Sequence, residues 1–314
     1  MQTKTIKKTI VSKLESWIKT LPTELGIEVK ENLLLSGGAI ANLLQNQPVN
    51  DYDIYIQDRS VLMKLVKFYT QKVSGIQIMD GHNKTDLVEE LEKDYHGSEL
   101  EDINNQYSIA LRNLKDDQIK LFMYNGSIRV ADLEDEPKEG QEATRPPFSP
   151  VFYSPNAISL SDSLQIVIRF WGPPEEIHKT FDFVHPTNYF TFKQGLVFNT
   201  EALLCIMTKQ LRYQGSMYPV TSIIRVRKFL KRGFNINAGE LLKIMFQISQ
   251  LNLSNPDVLE EQLIGVDIAY FGLLIKALRD MFQKNPDKKL EPAYFNTIID
   301  RIFSEAEAGE EEPE

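Results

Sequence analysis

One short stretch, residues 33–56, constrains this chain more than any other. Leu33-Leu34-Leu35 is an apolar run that passes into Ser36-Gly37-Gly38, and a helix from Ala39 to about Asn46 follows, turning Ile40, Leu43 and Leu44 inward before Pro48. Asp51-Tyr52-Asp53-Ile54-Tyr55-Ile56 then alternates with period two, which predicts a strand. Successive side chains on a strand point to opposite faces, so Asp51 and Asp53 project on one face. Two carboxylates held this close are unfavourable unless a cation neutralises them. Hard oxygen ligands at that spacing suit Mg²⁺, which pairs one or two carboxylates with substrate phosphates. Upstream, glycines let the backbone approach an oxyanion and the helix start directs N–H groups toward it, so Ser36, Gly37 and Gly38 form a candidate phosphate cradle. Each half has an ordinary alternative, a surface acid pair or a tight turn. Their combination, bridged by residues 39–50, is far more specific.

Around this stretch the chain changes texture once. Ile6, Ile10, Leu14, Trp17, Ile18 and Leu21 recur at helical spacing and stop before Pro22. Residues 61–71 read as a helix and 76–79 as a strand, and the acidic stretch 80–102 reads as a surface excursion. Segments 106–113 and 118–124 read as a hairpin, Asn125-Gly126 as a turn into strand 127–130, and the proline-rich, charged stretch 132–150 as a loop. Strands are predicted again at 157–160, 165–170 and 180–184. From about Gly195 the pattern becomes helical: 200–213, 220–232, 238–251, 258–282 and 292–303. Met245, Phe246, Phe271 and Phe282 fall at core spacing on those helices. The tail EAEAGEEEPE, six glutamates in ten residues, is expected to be disordered. The expected architecture is an α/β (α+β) unit with a mixed sheet over 1–195, carrying a long insertion at about 58–156, then an all-α unit over 196–303 and an acidic tail, 304–314.

The 314 residues fit two such units, and 42% apolar with 25% charged residues exclude general disorder. Cys205 is the only cysteine, which excludes a cysteine-built zinc or iron–sulfur site and points to a reducing compartment. The basic N-terminus is interrupted by charge with no apolar stretch behind it, and no run approaches a membrane span, so a soluble cytoplasmic protein is expected. A net charge of −9 argues against a general nucleic-acid coat but not against a local basic cleft. Between Ala202 and Gly239 there is no acid but seven basic residues: Lys209, Arg212, Arg225, Arg227, Lys228, Lys231 and Arg232. Arg225, Lys228 and Arg232 share one helical face, suited to a triphosphate or an RNA backbone, or else a solvated face. Tyr213 and Tyr218 can stack on a base or pack in the core. The four histidines show no ligand spacing and read as structural.

The pattern apolar–Gly–Gly, helix, Asp–x–Asp on a strand resembles the signature of the DNA polymerase beta-type nucleotidyltransferase superfamily. The resemblance rests on residues 33–56, with weaker support to about 195. It implies a nucleoside triphosphate on the Ser36-Gly37-Gly38 turn; the basic stretch described above offers Lys209, Arg225 and Lys228 as further candidate nucleotide contacts. It also implies two Mg²⁺ ions (or Mn²⁺) held by three carboxylates, Asp51, Asp53 and a third on a later neighbouring strand. Asp182, within the apolar run 180–184, is the best candidate for that third acid; the alternative for it is an ion pair with Arg169. Asp80 and Asp132 stand behind it. The run from Gly172 to Tyr189 also resembles nucleotidyltransferase-like proteins of large bacteriophages, which implies an infected host's cytoplasm. Where CCA-adding members carry an Arg-Asp pair after the glycines, this chain has Ala39-Ile40-Ala41-Asn42-Leu43, and it lacks a Glu-Asp-x-x-Arg element. CCA addition is therefore not implied. The resulting expectation is transfer of a nucleotide from an NTP to an acceptor hydroxyl, an RNA 3′ end being favoured. The alternatives are a non-catalytic binding or structural protein that keeps the fold, and a toxin-type enzyme that modifies protein.

Overall fold

The computed structural model describes residues 2–83, 106–107, 110–111, 114–124, 126–132, 146–253 and 255–262, with single helical positions at 281, 293, 296, 297 and 300. Two compact units result. One comprises the chain to Phe181 with His185–Met207, the other Asp182–Val184 with the described residues from Thr208 onward.

The first unit opens with α1 (Thr3–Ile18), which buries Ile6, Ile10, Leu14 and Trp17 along one stripe. Its indole is wholly buried, and the N–H it would otherwise strand donates to Tyr69 Oη at 2.9 Å. A second helix, α2 (Thr23–Asn32), follows Pro22; the sequence reading did not foresee it. Only Gly26 and Val29 are buried on it, so its apolar stripe is too thin to be seen by periodicity. Then come β1 (Leu33–Ser36), α3 (Gly38–Leu44), β2 (Tyr52–Ile56) and α4 (Arg59–Thr70), all close to their predicted spans. Asp58 caps α4, accepting from Ser60 Oγ at 2.5 Å, Val61 N at 3.1 Å and Ser60 N at 2.8 Å, and these hydrogen bonds, the Ser60 hydroxyl's first, hold its carboxyl below the usual carboxylate range.

Beyond α4 lie β3 (Gln77–Asp80), β4 (Ile119–Phe122), β5 (Ile128–Arg129), β6 (Pro150–Ser154), β7 (Ala157–Leu160) and β8 (Leu164–Val167), then α5 (Pro174–Lys179), β9 (Tyr189–Thr191), β10 (Gly195–Val197) and α6 (Thr200–Thr208). Eight strands make one mixed sheet in the order β10-β9-β1-β2-β8-β7-β6-β5, with β2 and β8 parallel. Strands β3 and β4 form a separate antiparallel pair. Several expectations change here. Strand 118–124 pairs with β3, while Gln106, Tyr107, Ala110 and Leu111 are helical, so the expected 106–124 hairpin is not formed. Part of the stretch expected as an insertion belongs to the main sheet, since β5 and β6 extend it. Residues 84–105 and 133–145 lie outside the described residues.

Alternation assigns the two faces of the sheet. Leu33, Leu35, Ile54, Ile56, Ile158, Leu160, Leu164 and Ile166 point into the main core, which α1, α3 and α4 cover with Ile10, Leu14, Ile40, Leu62 and Leu65. The intervening residues turn the other way. There Leu34 and Tyr55 pack on Ile177 of α5 with Val167 and Tyr189, and Asp53, Gln165 and Ser159 share their face. One face is thus helix-covered and apolar, while the other carries a polar row.

In the second unit, described by itself, α7 (Pro219–Lys231), α8 (Ala238–Ser249) and α9 (Pro256–Gln262) enclose Phe183, Leu211, Tyr213, Val226, Phe234 and Ile244. Two isolated bridges, Phe183–Tyr213 and Gln210–Asn235, tie its loops. Met245 and Phe246 are 60% and 69% exposed, against the expectation that they are core, because α8 turns Ile244 and Ile248 inward instead. Phe271, Phe282 and most of 292–303 lie outside the described residues. No helix among the described residues is long and apolar enough to cross a membrane.

Candidate functional site

The glycine turn and the Asp53 strand meet. Gly37 has φ 96° and ψ −154°, a region that is open essentially only to glycine. A Cβ built on it comes 2.8 Å from Asp53 Oδ2, so the carboxylate lies directly against the glycine backbone. Gly38 differs. It is exposed, and a Cβ there meets nothing within 4 Å, so the turn is open on that side. Gly37 N donates to Pro186 O at 3.1 Å, which ties the turn to the 185–188 loop. Asp51 is exposed, one residue ahead of β2, and Asp53 is half-buried within it.

Ser36 faces inward. Its side chain is buried, and Oγ lies 2.9 Å from His178 Nε2, 3.1 Å from Asn188 O and 3.4 Å from Pro186 O. Carbonyls only accept, so the network is satisfied when Ser36 donates to Asn188 O and His178 Nε2–H donates to Ser36 Oγ. Burial pulls His178 down to about 4, against the opposing charge of Glu175, and the ring is neutral at pH 7. Asn188 continues the brace: its Oδ1 accepts from Asn199 N at 3.0 Å, and Asn199 Nδ2 donates to Thr187 Oγ1 at 2.9 Å. His178 carried no sequence signal because it lies 142 positions from Ser36 and only the fold joins them.

Asp182 sits elsewhere than expected. Residues 180–184 form no strand beyond the single Phe183 bridge, so Asp182 is not a sheet residue. The turns after α5, with Thr180 as its cap, break the run before it can pair. Its buried carboxylate accepts from Arg225 Nη1 at 2.9 Å, and Arg225 rather than Arg169 is its ion-pair partner. Arg225 is accordingly committed within the second unit, and Lys209 Nζ stands 4.8 Å from the centroid of the Phe234 ring. Lys228 is exposed on α7 with Arg227 and Lys231, and Arg232 just past its end is exposed too. Tyr213 and Tyr218 are buried, Tyr213 against Phe183 with its hydroxyl on Gln247, and both serve the core. Asp80, on the separate sheet, pairs with Arg59 at the start of α4, and Asp132 ends a short 3₁₀ turn.

The sheet itself places a different residue beside Asp53. On the parallel neighbour β8 its register partner is Gln165, whose Nε2 donates to Ser159 Oγ at 3.2 Å. Among the described residues no group of three or more His, Cys, Asp or Glu is placed to hold a metal ion. Asp51, Asp53 and the open glycine backbone are a donor set that fits one hard divalent ion carried in with phosphate oxygens.

Comparison with known proteins adds a family. Over 152 residues, 45% of this chain, the sequence is 23% identical to a protein of Bacillus phage SPbetaL7 described as Gabija anti-defense 2, covering 38% of that protein. Among solved structures it is similar to a Thermotoga maritima CCA-adding enzyme complexed with tRNA, at TM-score 0.42 and 12% identity, over all of this chain and 63% of the enzyme. A CCA-adding enzyme with CTP gives TM-score 0.41 and 14% identity, over 97% of this chain and 59% of that one. The chain thus spans less than two thirds of the length of each of these relatives. The profile of the Gabija anti-defense 2 family matches residues 8–209, well over half of the sequence, and the chain therefore belongs to that family.

Proposed function

We propose that the chain is a phage counter-defence protein that acts on nucleotides, transferring a nucleotidyl group from an NTP to an acceptor hydroxyl. The observation that carries this reading is the apposition of Gly37, in a glycine-only conformation, with the Asp53 carboxylate, beside the open backbone at Gly38. A triphosphate lying along that turn meets bare backbone at Gly38 and a carboxylate edge at Asp53. Asp51 and Asp53 would hold Mg²⁺; when bound, the ion supplies Lewis-acid stabilisation of charge on the transferring phosphate and on pyrophosphate. The acceptor hydroxyl gives up its proton to solvent as its oxygen forms a bond to the α-phosphorus, the α–β bridging P–O bond breaks, and pyrophosphate leaves with that bond's electron pair. Ser36, His178 and Asn188 fix the turn from beneath, so its backbone is preorganised. Asp182 is left out of this set because Arg225 holds it. An RNA acceptor is supported by the exposed Arg227, Lys228, Lys231 and Arg232.

Gln165 beside Asp53 favours a second reading, a nucleotide-binding protein of the same family that does no transfer. One experiment separates them. Purified protein is incubated with each α-³²P-labelled NTP, Mg²⁺ or Mn²⁺, and bacterial RNA and protein, beside an Asp51→Ala/Asp53→Ala control. Label on RNA or protein that vanishes in the control supports transfer and names the acceptor class. Nucleotide retained on the wild-type protein without transfer selects the second reading, and loss of both refutes the site.

A further inference from the structure

The number of ions the site takes can be argued from the neighbours of Asp53, an inference that rests on the nucleotide-binding reading above. Adjacent strands lie about 4.8 Å apart, and residues in register share a face. On one side of Asp53 stands Gln165 of β8. On the other, continuing the Leu35–Ile54 pairing by one residue brings Ser36 opposite it. Neither is an acid, and both are engaged: Gln165 Nε2 donates to Ser159 Oγ at 3.2 Å, and Ser36 Oγ meets His178 and Asn188. Gln165 can offer a cation one neutral carbonyl oxygen and no charge.

An ion that arrives on a triphosphate brings most of its anionic oxygens with it and needs only one or two carboxylates from the protein. Asp51 and Asp53 meet that need. A second ion on the acceptor's side, about 3.5–4 Å from the first, feels the repulsion of a like dication and lacks the phosphate tail. It depends on a further carboxylate in reach of Asp53, and among the described residues the register positions beside Asp53 on β1 and β8 hold a serine and an amide. We propose that the site takes a single divalent ion with its triphosphate and that Gln165 is the residue that keeps a second ion out.

The test is the Mn²⁺ stoichiometry of the full chain at saturating α,β-methylene-ATP, read from the free-Mn²⁺ electron paramagnetic resonance signal, with the GTP, CTP and UTP analogues as parallel arms. One Mn²⁺ per chain is expected for wild type and for Gln165→Leu. Two are expected for Gln165→Glu, with the spin-coupled spectrum of neighbouring ions. Two ions in wild type, or one in a folded Gln165→Glu, overturns the proposal. Wild-type stoichiometry is read without any substitution, so a misfolded variant does not shield the idea, and Gln165→Asp repeats the arm with a shorter acid. Failure of every analogue to bind overturns the nucleotide reading itself, a result distinct from a miscounted ion, and the proposal falls with it.

Discussion

Replacing Gly37 by alanine separates two effects that the turn combines. At φ 96° and ψ −154° an L residue is strained by about 1–3 kcal/mol, since that region is essentially glycine-only. The added Cβ also comes 2.8 Å from Asp53 Oδ2, a contact too close to persist. The carboxylate is the end of a rotatable side chain and can swing away at little cost, whereas the backbone is held by β1, by α3 and by the Gly37 N–H bond to Pro186 O. Backbone strain therefore sets the stability loss, and displacement of Asp53 sets the functional loss. About 2 kcal/mol lowers the melting temperature by roughly 4–8 °C for a unit of this size. Moving the carboxylate off the turn weakens nucleotide analogue binding about tenfold or more, for which a loss of ~1.4 kcal/mol suffices. Gly38→Ala is the matched control. It opens α3, has no positive φ, and its Cβ meets nothing within 4 Å, so stability is unchanged or slightly raised. Only binding falls there, because the methyl group sits where a phosphate would approach. Thermal denaturation and analogue titration of both variants give the answer. A Gly37→Ala protein as stable as wild type, or a Gly38→Ala protein equally destabilised, refutes the reasoning.

Two further perturbations follow from the same geometry. Asp182→Asn removes the buried charge that the partly exposed Arg225 meets at 2.9 Å and is expected to destabilise by about 1–2 kcal/mol in urea denaturation, with clear coupling to Arg225→Met in a double-mutant cycle; additive effects would show that the pair is idle. His178 has a folded pKa near 4 against an ordinary 6.5, so below pH 6.5 the unfolded chain takes up a proton that the native protein refuses. Stability is full above about 6.5 and falls as pH drops toward 4, and His178→Gln should lose that part of the slope in urea midpoints measured at pH 7 and pH 5. Equal slopes would mean that the ring titrates in the native state as it does in the unfolded chain.

Much of the first unit was legible because its signals are local. Leu33 to Leu35, the glycine pair and the Asp51–Ile56 alternation each specify a backbone conformation within a few residues, and β1, α3 and β2 form where those signals place them. The same holds for α7 and α8, whose apolar spacing and Gly233 stop fix their extents. Asp182 shows the limit of that logic. An apolar run around an acid reads as a strand, yet a place beside Asp53 requires an open side of β2, and β2 already has β1 on one side and β8 on the other. The strand that flanks β1 comes from Tyr189–Thr191, which is too short to stand out by pattern.

What the sequence alone determined was the glycine turn and the carboxylates on the strand after it, because residue type and spacing act through bonded neighbours. Only the tertiary structure decided which groups meet them. Ser36 finds His178 across 142 positions, and Asp53 finds Gln165 rather than an acid through the parallel pairing of β2 with β8. Strand order and register are set by how the whole set of apolar faces is buried together. No local spacing encodes that choice, and it is what places an amide and a left-handed glycine beside one carboxylate, with a half-buried histidine bracing the serine of the same turn.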